Sequence, residues 1–324
     1  MSLVKMKSVL LFRLGGLGDL FVAFPSISLL RKKLFSPSLT LVCRPEYGLI
    51  LKETGVVDNI LPVDQAKLAP LFDSLPFPRE LTQWLQEFSF ISGWLQKKSS
   101  LNHEELCRSG KRCRFFIPNP DYPGPISQNF YEKTLEFLAG LRGPSPSFNE
   151  CIQLALNSYQ KEIGLELVGK EPEEVKRGLV VIHPGSGSTS KCWPLGNFEE
   201  IISRLSLKGY RGALVTGMAD EEIENTLKEL SLPEKWVWLR SPPLLKLSGL
   251  LANASLYLGN DSGITHLAAA CGTKVVALFR KDLEAGWKPY GQTVVLSEES
   301  VSDISPHSVW EAITRILNSR DLFA

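Results

Sequence analysis

The sequence predicts an α/β protein made of two parallel sheets, each covered by helices. Strands and helices alternate from residue 8 to residue 63. The alternation starts again at Leu179 after a polar stretch broken by glycine and proline. Glycine-rich loops stand between strand and helix at 15–19, 184–194 and 259–263. Such alternation is the pattern of a parallel sheet whose crossovers are helices.

In the first half, residues 8–14 (Ser-Val-Leu-Leu-Phe-Arg-Leu) read as a buried parallel strand, because strands covered on both faces are continuously apolar. After the turn Gly15-Gly16-Leu17-Gly18, Asp19 opens an apolar helix to about Leu34. A strand at 39–43, a short helix near 47–54 and a strand near 59–63 follow. Residues 64–125 contain Pro70, Pro76 and Pro78, an aromatic-rich part and a basic part, with strands placed near 88–92 and 113–117. A helical pattern at 127–141 ends at Gly143-Pro144.

The second half reads as a strand at 179–183, a helix at 195–208, a strand at 212–216, a helix at 219–230, a strand at 236–239 and a helix at 244–252. A strand at 255–259, an alanine-rich helix to Cys271, a strand at 275–279 and a final helix at 306–319 complete it. The expected division is an N-terminal domain over 1–163, a linker at 164–178, a C-terminal domain over 179–305, and a terminal helix at 306–324 packing back toward the N-terminal half.

Bulk properties narrow the function. The 324 residues suit about two domains, with 44% apolar and 22% charged residues, the balance of a soluble protein. A formal charge of +1 gives no global attraction for nucleic acid. No apolar run approaches bilayer length, and Lys5, Lys7 and Arg13 interrupt the first apolar stretch, so neither a span nor a signal peptide is expected. The expected location is the cytoplasm. The cysteines at 43, 107, 113, 151, 192 and 271 form no CxxC pair, which reads as reduced thiols, mostly in packing. The four histidines do not cluster and no DxD or HExxH is present, so metal-independent chemistry without a cofactor is expected.

Chemistry concentrates in the three loops. Ligands of open α/β sheets bind beyond the carboxyl ends of the strands, where free N–H groups and the dipole of the next helix favour anions. In the first loop, Gly15, Gly16 and Gly18 let the backbone turn tightly and approach a ligand. Asp19 then either faces the site or caps the helix, and the roles are compatible. The loop is neither a P-loop nor a GxGxxG fingerprint. The second loop, His183-Pro184-Gly185-Ser186-Gly187-Ser188-Thr189-Ser190-Lys191-Cys192-Trp193-Pro194, offers small residues, hydroxyls and one lysine, a set suited to cradling phosphate. His183 reads as a structural residue at a strand end. In the third loop, Asp261 is the N-cap candidate, with the N–H groups of Ser262 and Gly263 pointing outward and His266 on the first turn. Asp261, Ser262 and His266 are too crowded in sequence for a hydrolase triad.

At these loops the sequence resembles glycosyltransferase family 9, the ADP-heptose:lipopolysaccharide heptosyltransferases. The resemblance rests on Gly-Leu-Gly-Asp-Leu-Phe-Val-Ala-Phe-Pro at 16–25, on His-Pro-Gly-Ser-Gly at 183–187 with Lys-Cys-Trp-Pro at 191–194, and on Leu-Gly-Asn-Asp-Ser-Gly-Ile-Thr-His-Leu-Ala-Ala-Ala at 258–270. It implies a GT-B fold, with two Rossmann-like domains facing across a cleft, the acceptor on the N-terminal domain and the nucleotide sugar on the C-terminal one. It places the catalytic aspartate at Asp19, the phosphate lysine at Lys191, the small donor-loop residues at Ser186 and Gly187, and the diphosphate and sugar contacts at Asp261 and Gly263. A ribose-binding carboxylate falls on Glu221 or Glu222. The family often has a Gly-Pro-Thr-type loop after the last strand, where this chain reads Phe279-Arg280-Lys281-Asp282-Leu283. That departure bears on the donor sugar.

The implied reaction is inverting transfer of a heptose or related sugar from an ADP-sugar to a lipid-linked glycan of lipopolysaccharide-core type. Two other readings stand beside it: a nucleotide-sugar 2-epimerase of the same architecture, and a non-catalytic nucleotide-sugar or glycan-binding protein. The basic segment 97–114, with Lys97, Lys98, Arg108, Lys111, Arg112 and Arg114, follows the aromatic stretch ending at Trp94. It is expected either to recruit an anionic lipid-linked acceptor at the inner membrane or to be a solvated loop.

Overall fold

The computed structural model describes residues 7–34, 37–73, 75–96, 101–109, 112–141, 145–169, 178–228 and 231–318. The chain divides into two compact units, residues 1–152 and 153–324.

In the N-terminal unit, β1 (Ser8–Phe12), α1 (Leu17–Lys33), β2 (Ser38–Cys43), α2 (Pro45–Glu53) and β3 (Asn59–Pro62) follow the predicted alternation. Then come α3 (Arg79–Leu85), β4 (Phe90–Trp94), α4 (His103–Ser109), β5 (Cys113–Phe116), α5 (Ile126–Phe137) and the single turn α6 (Phe148–Cys151). The sheet order is β3-β2-β1-β4-β5, and its pairings are parallel. Residues 64–125, irregular in sequence, thus supply two strands and two short helices. α3 buries Leu81 and Leu85 in a core with Leu10, Phe12 and Ile91. α1 is buried on nearly every side, which is why its sequence lacks a polar stripe.

In the C-terminal unit the order is α7 (Ser158–Leu165), β6 (Leu179–His183), α8 (Leu195–Leu207), β7 (Arg211–Thr216), α9 (Glu221–Leu227), β8 (Trp236–Arg240) and α10 (Leu244–Asn253). There follow β9 (Leu256–Asn260), α11 (Gly263–Ala270), β10 (Val275–Arg280), α12 (Lys281–Trp287), β11 (Thr293–Glu298) and α13 (Pro306–Asn318). The parallel sheet runs β11-β10-β9-β6-β7-β8. The strand β11 and helix α12 were absent from the sequence reading. β11 is only half-buried along its length, as expected of an edge strand, so its apolar pattern is weak.

Two boundaries differ from expectation. Helix α7 lies with the C-terminal unit rather than the N-terminal one, because it packs backbone to backbone on α10. A Cβ at Gly164 would stand 2.2 Å from Leu250 N, and one at Gly249 2.0 Å from Gln160 O. Asn253 also donates to Lys161 O at 2.9 Å, and Lys246 pairs with Glu166 at 2.7 Å. Of the polar stretch 164–178, Gly164 and Leu165 belong to α7 and are buried, and 170–177 lie outside the described residues. The terminal helix, over its described length, packs on the sheet of its own unit. Val309, Ala312, Ile313 and Ile316 of α13 join the core formed by β6, β9, β10 and α8. Its apolar face matches the sheet beside it, and residues 319–324 lie outside the described residues.

Candidate active site

In each unit candidate residues lie where the sheet order reverses. In the N-terminal sheet β1 lies between β2 and β4, so the chain leaves β1 toward one side and returns at β4 on the other. The loops after these two strands diverge and leave a crevice. Arg13 and the glycine turn follow β1, and Leu95 and Gln96 follow β4.

Asp19 is the third residue of α1 and Gly16 the N-cap, one refinement of the expected helix start. The Asp19 carboxylate Oδ2 accepts the Gly16 N–H at 3.0 Å, so it does cap the helix. Its Oδ1 accepts Arg13 Nη2 at 2.9 Å and Gln96 Nε2 at 2.6 Å. Arg13 also donates from Nε to Asp19 O and from Nη1 to Trp94 O, both at 2.6 Å. Burial pulls the Arg13 guanidinium down to about 10 against the opposing effect of Asp19, so it remains charged at neutral pH. The side chain of Asp19 is 17% exposed and that of Arg13 2%. The carboxylate therefore reaches solvent from a fixed position. With one hydrogen bond on Oδ2 and two on Oδ1, Oδ2 keeps lone-pair capacity for a proton.

Gly15 is required at its position. It has φ +111°, and a Cβ there would lie 2.4 Å from Asp19 Oδ2. Gly16 supplies the capping N–H, whereas Gly18 lies in the first turn with no side chain to compete for the space. Arg13 and Gln96 escaped the sequence reading. A charge directly after a buried apolar strand was the available signal for Arg13. Gln96 has no local signal, because only β4 pairing beside β1 brings it near Asp19.

In the C-terminal sheet β6 lies between β9 and β7, so the loops after β6 and β9 flank the corresponding crevice. Asn260 closes the β6–α8 loop like a clasp: its Nδ2 donates to Pro184 O at 2.7 Å and its Oδ1 accepts Trp193 N–H at 3.1 Å. The buried Trp193 ring anchors the loop further by donating to Ile304 O at 2.8 Å. Ser186 is buried and bridges loops, its hydroxyl donating to Asp261 O at 2.7 Å. Gly187 has open space around the position of a Cβ.

Lys191 reaches Asp261, Nζ to Oδ2 at 2.7 Å, which joins the second and third loops. The N-cap of α11 is Ser262 rather than Asp261: its Oγ accepts Thr265 N–H at 3.3 Å. Asp261 precedes the cap and is free to meet Lys191 instead. Gly263 is the first helical residue. His266 is buried within α11, which places it behind the loop rather than on its surface.

Glu221 and Glu222 are exposed on the first turn of α9. The anchored carboxylates nearby are two others. Glu224 accepts Thr216 Oγ1 at 2.7 Å and Arg240 at 2.7 Å, and these hydrogen bonds hold it below the usual carboxylate range. Asp220 is buried and accepts Gly217 N–H at 2.6 Å and His183 Nε2 at 3.0 Å. Burial opposes its ionisation, but His183 and the N–H groups of Gly217 and Ser186 outweigh burial and keep the carboxyl low. His183 in turn faces Ser262 Oγ through Nδ1 at 3.2 Å. Gly185 leaves room for this arrangement, since a Cβ there would lie 2.0 Å from Asp220 Oδ1.

Cys192 is no thiolate: burial first, and then Asp220, push it up to about 11. After β10, where the family's loop differs, Arg280 closes on Asp282 at 2.7 Å at the start of α12. Of the basic segment, Lys97, Lys98 and Lys111 lie outside the described residues. Arg108 pairs with Glu105 at 2.8 Å, Arg112 lies over the Phe137 ring and Arg114 over Phe116. Among the described residues no three His, Cys, Asp or Glu side chains gather as a metal site, and no helix is long and apolar enough to cross a membrane.

The structure is similar to that of the glycosyl transferase family 9 protein of Veillonella parvula DSM 2008, with a TM-score of 0.77, 18% identity and 98% of each chain covered. It is similar also to ADP-heptose lps heptosyltransferase II of E. coli, with a TM-score of 0.74, 17% identity, and 96% of this chain and 98% of that one covered. At these identities the likeness shows the GT-B fold of two Rossmann-like units. In sequence, lipopolysaccharide heptosyltransferase 3 of Escherichia coli is 27% identical over 187 residues, 51% of this chain and 53% of that protein. The chain thus spans about half the length of this curated relative. Residues 130–305, more than half of the chain, match glycosyltransferase family 9 (heptosyltransferase). The chain belongs to glycosyltransferase family 9.

Proposed function

We propose that this protein is an inverting, metal-independent heptosyltransferase that moves a heptose from ADP-heptose to a lipid-linked glycan of lipopolysaccharide-core type. The observation that carries the reading is the Asp19 carboxylate, held by Arg13, Gln96 and the Gly16 N–H at the β1–β4 crevice of a family 9 chain. The N-terminal unit takes the acceptor and the C-terminal unit the donor.

An acceptor hydroxyl attacks the anomeric carbon. Its proton passes to Asp19 Oδ2 as the new C–O bond forms. The bond from the anomeric carbon to the diphosphate oxygen breaks, and its electron pair leaves with the diphosphate. Lys191 and the N–H groups of Ser262 and Gly263 face that growing charge and hold it most strongly in the transition state. Asp261 steadies Lys191 and accepts from a sugar hydroxyl. Glu221 or Glu222 binds the ribose, and their exposure on α9 suits a ligand approaching from solvent.

Incubation with ADP-heptose and heptose-deficient core glycans tests the reading by mass spectrometry. A glycan heavier by one heptose supports it, while an epimerised donor or no product opposes it. Lys191→Ala is expected to weaken ADP binding by about 1.5–3 kcal/mol, toward the upper end because Asp261 is left as an uncompensated charge beside the diphosphate. Unchanged affinity by calorimetry would take the lysine out of the site.

The enzyme works in the cytoplasm on the inner face of the inner membrane, with the basic segment 97–114 meeting the anionic acceptor. Cosedimentation with vesicles rich in anionic lipid should occur at low salt and fade at high salt. A protein that stays in the supernatant at low salt would remove this part.

A further inference from the structure

Asp220, His183 and Ser262 come from the ends of three adjacent strands, β7, β6 and β9, and form one hydrogen-bonded chain. It has the order carboxylate, imidazole, hydroxyl, assembled from residues 37 and 79 positions apart in sequence. Because Asp220 is held ionised, His183 Nε2 carries a hydrogen toward it. The direction of the other contact depends on one proton. With a neutral imidazole, Nδ1 is an acceptor that the Ser262 hydroxyl faces, and a serine that donates there has no hydrogen left for a ligand. With an imidazolium, Nδ1–H donates to Ser262 Oγ and the hydroxyl hydrogen is released.

Besides Nδ1, the surrounding bonds offer that hydrogen one other acceptor, Thr265 Oγ1 at 3.1 Å from Ser262 Oγ. Ser262 Oγ already accepts Thr265 N–H. Thr265 Oγ1 donates to Asn260 O, which makes Tyr257 the donor in the Tyr257–Thr265 contact at 3.0 Å. The other ionisable groups around the imidazole are Cys192 and Tyr257, both held protonated by burial, with Glu222 and the Lys191–Asp261 pair further out. Histidine is the group whose ordinary titration lies near neutral pH.

We propose that Asp220 and His183 are positioning residues that take up a proton when the donor's diphosphate binds, turning the Ser262 hydroxyl into a hydrogen-bond donor to it. The proposal rests on the donor site described above. The anion at the start of α11 favours the released hydroxyl, Asp220 shares the added charge, and the same hydroxyl then donates to the diphosphate as it leaves.

Titration calorimetry of the full chain with ADP, in buffers of differing ionisation enthalpy, reads the proton directly. The wild type should take up part of one proton per ADP and bind more weakly as pH rises. His183→Gln keeps a polar side chain but cannot hold the proton, so uptake should vanish and affinity fall on the order of tenfold, one hydrogen bond to a charged group. Asp220→Asn, which keeps the imidazole, should reduce the uptake. Binding heats independent of buffer in the wild type, or uptake preserved in His183→Gln, would overturn the proposal. Proton uptake that persists in Lys191→Ala at unchanged affinity would discard Lys191 as a phosphate ligand and leave the relay standing.

Discussion

Asp19→Asn is expected to slow turnover by about 10²–10⁴-fold, the usual worth of a general base. In the proposed reaction the acceptor proton leaves as the glycosidic bond forms, and an amide cannot receive it. The structure adds a cost in stability that the helix-cap argument alone does not foresee. One amide oxygen can serve Arg13 and Gln96 at the Oδ1 position, but the amide nitrogen then faces the Gly16 N–H, donor against donor. The buried guanidinium also loses its counter-charge. A loss of about 1–3 kcal/mol follows, seen as a melting temperature lower by ~2–4 °C per kcal/mol in a unit of this size. ADP affinity should not change, since the proposed donor site lies in the other unit. Turnover measured well below the melting point, alongside ADP titration, decides the matter. Full activity would leave Asp19 as a cap and ion-pair partner only, and activity lost together with ADP affinity would point to misfolding.

The second large effect is expected at the contact of α7 with α10. Gly249→Ala puts a methyl 2.0 Å from Gln160 O, and Gly164→Ala one 2.2 Å from Leu250 N. Both obstacles are backbone atoms, which cannot swing aside as a side-chain end can. The helices must separate, at a cost of about 1–3 kcal/mol and toward the upper end. Gly196→Ala is the control, because nothing lies within 4 Å of its Cβ position on α8. It should be neutral or stabilising by about 0.4–1 kcal/mol. Denaturant midpoints at constant slope measure the difference. Equal midpoints for Gly249→Ala and Gly196→Ala would mean that the helices do not meet as closely as described.

The two substitutions probe different kinds of information. Asp19 and the glycine turn were legible in the sequence because strand, turn and helix are neighbours along the chain. The same holds for the loops at 183–194 and 258–270. Apolar runs marked most strands, since a parallel strand covered on both faces admits few polar residues. The edge strand β11, half-exposed and without that run of burial, left no comparable mark.

What the sequence by itself determined was the local chemistry: α/β alternation, two sheets, and three loops carrying Asp19, Lys191, Asp261, Ser262 and Gly263. Only the tertiary structure decided which side chains meet. The parallel pairing of β1 with β4 brings Gln96 to Asp19, and that of β6 with β7 and β9 joins His183 to Asp220 and Ser262. It also assigned α7 to the C-terminal unit through two glycines, and the N-cap of α11 to Ser262 rather than Asp261. The physical reason is the same in each case. Backbone preference and apolar burial act between neighbours in sequence and can be read there, whereas the partner of a polar side chain depends on which strand ends the sheet order sets side by side.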